Sequence, residues 1–235
     1  MRKVLVLIIF GLLIPFSFSY GAGEVDVLWQ GEVYTPPLYR GLPLWTSEAR
    51  ITFVAMPNLP GVNPANLIYR WSKDGTVLGS LSGVGKRSLV LVDGVLSLPL
   101  EVKVDIRTSE SEPYIGSAVL NLRAGVSRVL VVENNPLYGL MLNKAIGNEF
   151  SLKQDEVTFA ALPLFATVSD RKAPVMSYTW NTNTGDKRMG NSVTYRAPED
   201  SQGSSLVTLD VVNTRILSQP PRKSFVIQFD NQEEI

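Results

Sequence analysis

Two stretches of the chain, about 100 residues apart, carry one strand pattern. Ile51-Thr-Phe-Val-Ala-Met-Pro57 returns as Val157-Thr-Phe-Ala-Ala-Leu-Pro163, and Tyr69-Arg-Trp71-Ser-Lys-Asp-Gly75 returns as Tyr178-Thr-Trp180-Asn-Thr-Asn-Thr-Gly185. Pro37-Leu-Tyr39 and Pro136-Leu-Tyr138 open the two copies. Ser88-Leu-Val-Leu91 matches Ser192-Val-Thr-Tyr195, and Leu100 to Ile106 matches Leu206 to Val212. The matches come in one order with unequal gaps, as a duplicated unit with loop insertions would give. A chain written this way is expected to fold as two similar units, each closing its own core.

Within each copy the period is that of strands. Leu100, Val102, Val104 and Ile106 alternate with Glu101, Lys103 and Asp105, so one face of an extended segment is apolar and the other polar. Val207, Leu209 and Val211 alternate with Thr208 and Asp210, and Phe225, Ile227 and Phe229 with Val226 and Gln228. Turn signals separate these runs: Asp74-Gly75, Asp93-Gly94, Gly185-Asp186 and Ala197-Pro-Glu-Asp200. Outside the N-terminus no long helical stripe is present; Ala65 to Tyr69 and Leu140 to Ile146 are the candidates for a short helical turn. Short strands at this spacing predict an all-β chain of two tandem β-sandwich domains, over residues 25–128 and 130–230. The joint is read through Arg128 to Pro136, an apolar run without a Gly/Ser spacer, which predicts a limited range of angles between the domains.

Composition then removes most chemistry. The 235 residues contain no Cys and no His. Disulfides, thiol nucleophiles, Cys/His zinc sites and His-based acid–base pairs are therefore out. Lys plus Arg and Asp plus Glu both number 22, so no net field draws the chain to nucleic acid. With no disulfides to staple the fold, stability must come from core burial.

The N-terminus reads as an address. Arg2 and Lys3 precede an apolar run from Val4 to Ile14, then Pro15 and the small stretch Ser17 to Ala22. This is the order of a secretory signal peptide, assigned to residues 1–21, with cleavage expected after Ser19 or Gly21. The other reading is an uncleaved anchor, the one route by which this chain would meet a membrane; the run is short for a bilayer core. Residues 231–235 form a short acidic tail. Export, to the periplasm, the cell surface or the medium, follows as the expected location.

At Tyr69-Arg-Trp71 and Tyr178-Thr-Trp180, each followed by a polar turn containing Gly, the chain resembles bacterial Ig-like and PKD-like repeats. Ser192-Val-Thr-Tyr-Arg-Ala-Pro198 adds to that resemblance, whereas copy one has Leu89-Val-Leu-Val at the corresponding place. The resemblance implies immunoglobulin-like sandwiches serving as non-catalytic spacers or recognition modules in exported bacterial proteins. The physics of the motif agrees: rings two residues apart on a strand face the same side, so Tyr69, Trp71, Tyr178 and Trp180 are the expected structural core.

The remaining chemistry candidates have plain alternatives. Ser169-Asp-Arg-Lys172 has Ser-x-x-Lys spacing but sits in a turn-like polar stretch, and Gly83-Val-Gly-Lys-Arg-Ser88 lacks the first Gly of a phosphate loop. Calcium is the metal the composition could serve, through Asn181-Thr-Asn-Thr-Gly-Asp186 with Asp155 and Glu156; the same residues suit a β-turn. No cofactor and no catalytic residue is assigned. The aromatics peculiar to copy one, Trp29, Tyr34, Tyr39 and Trp45 around a Pro-rich segment, are the binding candidates. The expected function is a non-catalytic structural or protein-binding module of a surface or envelope assembly such as a pilus, secretion or adhesion apparatus. The alternative is a carbohydrate-binding accessory module, with a glycan as ligand.

Overall fold

The computed structural model describes residues 25–92, 94–95, 98–197 and 202–229. The signal-peptide and acidic-tail assignments fall outside these residues. The described chain is built from strands, with 3-10 turns at Pro64–Asn66 and Gly79–Leu81. Among the described residues no helix is long and apolar enough to cross a membrane.

The first half contains β1 (Val25–Gly31), β2 (Arg50–Pro57), β3 (Ile68–Lys73), β4 (Thr76–Val77), β5 (Gly83–Val84), β6 (Ser88–Val92), β7 (Leu100–Arg107) and β8 (Gly116–Leu122). They form one sheet of order β1-β2-β6 and another of order β4-β3-β7-β8, with β5 also on β3. The second half contains β9 (Arg128–Asn135), β10 (Gly139–Ala145), β11 (Glu149–Leu152), β12 (Glu156–Leu164), β13 (Met176–Thr182), β14 (Lys187–Met189), β15 (Ser192–Arg196), β16 (Gly203–Asn213) and β17 (Arg222–Phe229). Its sheets run β10-β9-β12-β15 and β11-β17-β16-β13-β14. Within these sheets β11 and β17 pair parallel. In immunoglobulin letters each half sets an A-B-E sheet against a C′-C-F-G sheet, the Greek-key order of an immunoglobulin-like sandwich.

Each half buries its own apolar interior. Ile51, Phe53, Tyr69, Trp71, Val102, Val104 and Ile106 lie in one cluster. Phe159, Tyr178, Trp180, Val207, Leu209 and Phe225 lie in another. Both indoles and both phenols sit inside, because the period of two puts them on the inward face. Their polar atoms are satisfied in parallel fashion, as buried polar groups must be. Trp71 Nε1 donates to Lys86 O (2.8 Å) and Trp180 Nε1 to Gly190 O (2.9 Å). Tyr69 Oη donates to Pro64 O (3.0 Å) and Tyr178 Oη to Arg171 O (2.6 Å). Burial raises the pKa of Tyr69, and more strongly that of Tyr178.

The duplication is visible in the register. Leu28, Val54 and Ser88 lie side by side across β1, β2 and β6, and Val132, Ala160 and Ser192 do so across β9, β12 and β15. Trp71 faces Val104 as Trp180 faces Leu209. That pairing shifts one match made from sequence: Val104 corresponds to Leu209 and Asp105 to Asp210. Leu206 and Val212 are on the solvent face, since a one-residue slip exchanges the faces of a strand.

Two further expectations change. Leu140 to Ile146 is not a helical turn: Leu140 to Ala145 belong to β10, paired with β9 in a hairpin without a counterpart among the described residues of the first half. Arg128 to Asn135 is not a linker but the first strand of the second sandwich, with Val129 and Val131 in its core. The connection between the halves is the five-residue stretch 123–127.

Candidate interaction site

The four candidate aromatics, Trp29, Tyr34, Tyr39 and Trp45, are not gathered on one exposed face. Trp45 is buried in the first core and its Nε1 donates to Ala49 O at 3.2 Å. Trp29 is on the inward face of β1, half-buried against the same core. Tyr39 is 38% exposed, with its ring edge-on to Phe165 of the second half at 5.8 Å. Tyr34 is buried, but in a third cluster, with Val132, Ala160 and Leu162 of the second half.

That third cluster reveals what the Pro-rich segment does. Residues 32–48 leave β1, fold back, and return to β2. Gly31 N donates to Pro43 O at 2.9 Å; a Cβ on Gly31 would stand 2.8 Å from Trp45 Cα, so only glycine admits the returning strand. Thr46 makes a parallel bridge with Gly125, whose N donates to Trp45 O at 2.7 Å. The loop is thus pinned to its own sandwich on one side.

On the other side it grips the second sandwich. Tyr34 N donates to Ala166 O and Phe165 N donates to Tyr34 O, both at 2.8 Å. Thr46 Oγ1 donates to Phe165 O at 3.0 Å. Glu48 Oε2 accepts from the backbone N–H groups of Leu217 and Ser218, each at 2.8 Å. The Tyr34 ring lies on Val132, Ala160 and Leu162, which point outward from β9 and β12, opposite to the core-facing Val131, Phe159 and Ala161. Burial raises the Tyr34 pKa, against the pull of Arg171 and with a smaller push from Asp170. Leu38, Glu48 and Phe165 take left-handed backbone conformations (φ 64°, 61° and 61°). Side chains with a Cβ hold such angles only where the surroundings fix them; the hydrogen bonds of this junction do so at Glu48 and Phe165, and Leu38 sits in an exposed turn closed by Tyr39 N donating to Pro36 O at 3.2 Å.

A cleft of 150 Å³ remains beside the junction, lined in part by Thr46, Gly125, Thr167, Met176, Asn213 and Pro221. Asn213 Nδ2 donates to Thr167 O at 3.2 Å and closes one wall.

Three surfaces stay open. The outer face of the β1-β2-β6 sheet carries Leu28 (60% exposed) and Met56 (50%) together with Asp26, Gln30, Thr52 and Arg50, and Val90 and Val92 of β6 lie beside Thr52 and Arg50. β6 ends its sheet and has no charged residue along Ser88–Val92. Ala55 N donates to Arg87 O; by the alternation of antiparallel pairs, the N–H and C=O groups of Ser88, Val90 and Val92 then point away from β2. The third surface is the β9–β10 turn, where Leu137 is 84% and Tyr138 77% exposed. Asn135 Oδ1 accepts from the N–H of Leu137 (2.9 Å) and Tyr138 (3.2 Å), and Asn135 Nδ2 donates to Glu133 Oε1 (3.0 Å). The turn is therefore pre-formed.

The polar candidates are engaged locally. In Asn181 to Asp186, Asn183 Oδ1 accepts from Leu206 N and Ser205 Oγ, Asp186 pairs with Arg188, and Glu156 pairs with Arg196 across β12 and β15. Among the described residues no group of three acidic side chains stands ready for a metal. Ser169 and Lys172 are exposed on turns, where Lys172 N donates to Asp170 Oδ1. Lys86 reaches Ser80 O at 2.6 Å from the loop before β6.

No family model matches the chain, and no curated protein matches it. Among solved structures it is similar to the three N-terminal domains of the highly immunogenic outer capsid protein (Hoc) of bacteriophage RB49, at 15% identity and a TM-score of 0.41. The similarity covers 88% of this chain and 59% of that one, so the chain spans rather more than half the length of the structure it matches. The immunoglobulin-like assignment stands on the strand order of the two sandwiches.

Proposed function

We propose that the chain is a non-catalytic, exported tandem immunoglobulin-like module with a structural or protein-binding role in a cell-surface or periplasmic assembly. In this reading the two domains lie on either side of residues 123–127, a few residues before the joint expected from sequence, and the Tyr-x-Trp strand supports the PKD-like variety. The partner is a protein of that assembly, no cofactor or nucleic acid takes part, and the export signal is the segment 1–21.

The observation that carries the reading is the junction. Tandem domains joined by small polar contacts move relative to one another by default. Here a loop of one half is bound to the other through backbone, carboxylate and aromatic contacts, which supports a fixed angle. A fixed angle serves a module whose job is to hold a spacing or present a surface. The carbohydrate alternative draws on Trp29, Tyr34, Tyr39 and Trp45; Tyr34 and Trp45 are occupied in packing, Trp29 is half-buried against the first core, and the exposed Tyr39 lies edge-on to Phe165.

The test is chemical crosslinking of the full chain in its native cells, followed by mass spectrometry, alongside a glycan array read by tryptophan fluorescence. A defined envelope protein with a silent array is the expected result. Oligosaccharide quenching without a crosslinked protein would overturn the proposal.

A further inference from the structure

The A-B-E sheets of the two sandwiches end on equivalent strands, and one of those edges is closed while the other is open. In the second half Ala161 N donates to Asn191 O, so the alternation of the ladder turns the backbone groups of Ser192, Thr194 and Arg196 away from β12. Arg188 of β14 crosses to that edge. Its Nη1 donates to Thr194 O, and its guanidinium lies over the Tyr195 ring. In the first half Val90 takes the place of Thr194 and Leu91 that of Tyr195. Leu78, whose N donates to Trp71 O, stands opposite Trp71 as Arg188 stands opposite Trp180. An apolar side chain cannot donate. Among the described residues nothing bonds to the outward N–H and C=O groups of Ser88, Val90 and Val92, and Val92 is 64% exposed.

An open edge is ordinarily guarded by a charge, a proline or shortness, because it otherwise pairs with any strand it meets. β6 has five residues and neither charge nor proline. The other uncharged edge of comparable length in this half, β8, lies beside β1. The outward groups of Ser88, Val90 and Val92 offer a donor and an acceptor at every second residue, an order that an extended backbone matches. Side chains of an added strand would meet Val90 and Val92 on the outer face and the half-buried Leu91 on the inner one, with no charge on β6 to pair. Past Val92 the edge runs into a groove of 700 Å³ between the halves. Its wall holds Glu32 and Glu48 against a single cation, Arg50, which lies 3.6 Å from Glu32. That balance favours a positive side chain at this end.

We propose that β6 is a strand-addition site for an extended segment of a partner protein, uncharged over the positions beside Ser88–Val92 and carrying Lys or Arg at the end that reaches the groove. The added strand extends the β1-β2-β6 sheet and supplies the donor that Arg188 supplies at the matching edge of the second half. The inference rests on the reading of the chain as a protein-binding module and states where and by what chemistry its partner is held.

The experiment places a photo-crosslinking amino acid at Ser88 of the full chain, expressed in its native cells. The expected result is one discrete product with a protein other than this chain, whose crosslinked peptide holds an uncharged run beside a Lys or Arg. In the purified product, hydrogen exchange over residues 88–92 should be slowed about tenfold or more relative to the free chain, which docking by side chains alone would not do. Val90→Pro removes an outward N–H and no bond of the chain's own sheet, and should reduce the product by about tenfold or more. Val90→Lys, at an exposed side chain, should do the same with the backbone intact. A thermal melt matching the parent chain qualifies either variant. A product that survives both substitutions, a crosslinked segment charged throughout, unchanged exchange at 88–92, capture of a second copy of this chain, or no product would each overturn strand addition by a partner. Probes at Val119 and Tyr138 then separate the two readings. A protein captured from either would leave the protein-binding reading standing, and none from any of the three positions would remove both.

Discussion

In the second sandwich the outward positions of strands A and B are roofed by β10 and by a tyrosine from the other half. In the first the same positions look into solvent. The two halves agree inside: the same register, a buried indole on strand C bonded to a backbone carbonyl, and a tyrosine two residues before it. They differ outside, where one has a hairpin insertion and the other a long loop. The lesson is that duplication preserved the interior, which each unit needs in order to fold, and left the surfaces free to become a joint on one side and an open face on the other.

The sharpest way to break the interior half of this comparison is to remove an indole. Trp71→Ala and Trp180→Ala should each cost about 3–5 kcal/mol, through lost burial and the cavity left behind. Calorimetry of the two variants should show matching losses, each centred on its own half. A melt within about 1 °C of wild type would contradict the shared core.

The junction comes next. Tyr34→Ala should remove about 2–4 kcal/mol of contact between the halves and divide a joint thermal transition into two. A single unshifted transition would mean that the halves are coupled elsewhere or not at all.

A smaller effect tests the equivalence of Asp105 and Asp210. Asp105 is buried on strand F and is held by Lys103 (2.9 Å), Arg70 (3.8 Å) and Ser117 (2.8 Å). Asp105→Ala leaves those partners without their acceptor and should cost about 1–2 kcal/mol. Asp210, more exposed and paired with Arg222, should give less on the same substitution. Equal losses in urea melts would show that burial does not distinguish the two sites.

The mildest change at neutral pH should come from Tyr195. It takes the place of Leu91 in the register, and its buried hydroxyl has no hydrogen-bond partner. Burial pushes its pKa up from 10.0 to about 12, against the pull of Arg188, whose guanidinium lies 5.0 Å from the ring centroid. The folded state therefore holds this proton more tightly than the unfolded chain does. The stability so gained is complete below pH 10 and is lost as the pH rises from 10 toward 12. Tyr195→Leu should move the alkaline unfolding midpoint upward while leaving neutral stability within about 1 kcal/mol. An unchanged alkaline midpoint would show that Tyr195 does not govern it.

The interior was legible in the sequence because it is periodic. Tyr69, Trp71, Tyr178 and Trp180 declare their side by spacing alone, and the pattern around them is repeated. The slip on strand F lies in the match between copies and not in the phase: Val207, Leu209 and Val211 show the inward face, but Leu206 and Val212, apolar on the solvent face, resemble the ends of Leu100 to Ile106. β10 escapes the strand pattern because Leu140, Met141 and Leu142 run together without alternation. Trp45 and Tyr34 lie in a Pro-rich loop with no period, where an aromatic ring gives no sign of which way it faces. The available signal was the loop itself, long and unmatched in the other copy.

Local order and the two cores follow from nearest neighbours along the chain, since side-chain alternation and turn residues act within a few positions. A doubled all-β architecture with an indole at the centre of each unit is already written in that local pattern. Which outward face is covered and which is open depends on contacts such as Tyr34 with Ala160 and Glu48 with Leu217, between residues more than 100 positions apart. Such contacts emerge when the folded halves meet, because surface complementarity between two folded units has no expression in the spacing of either one.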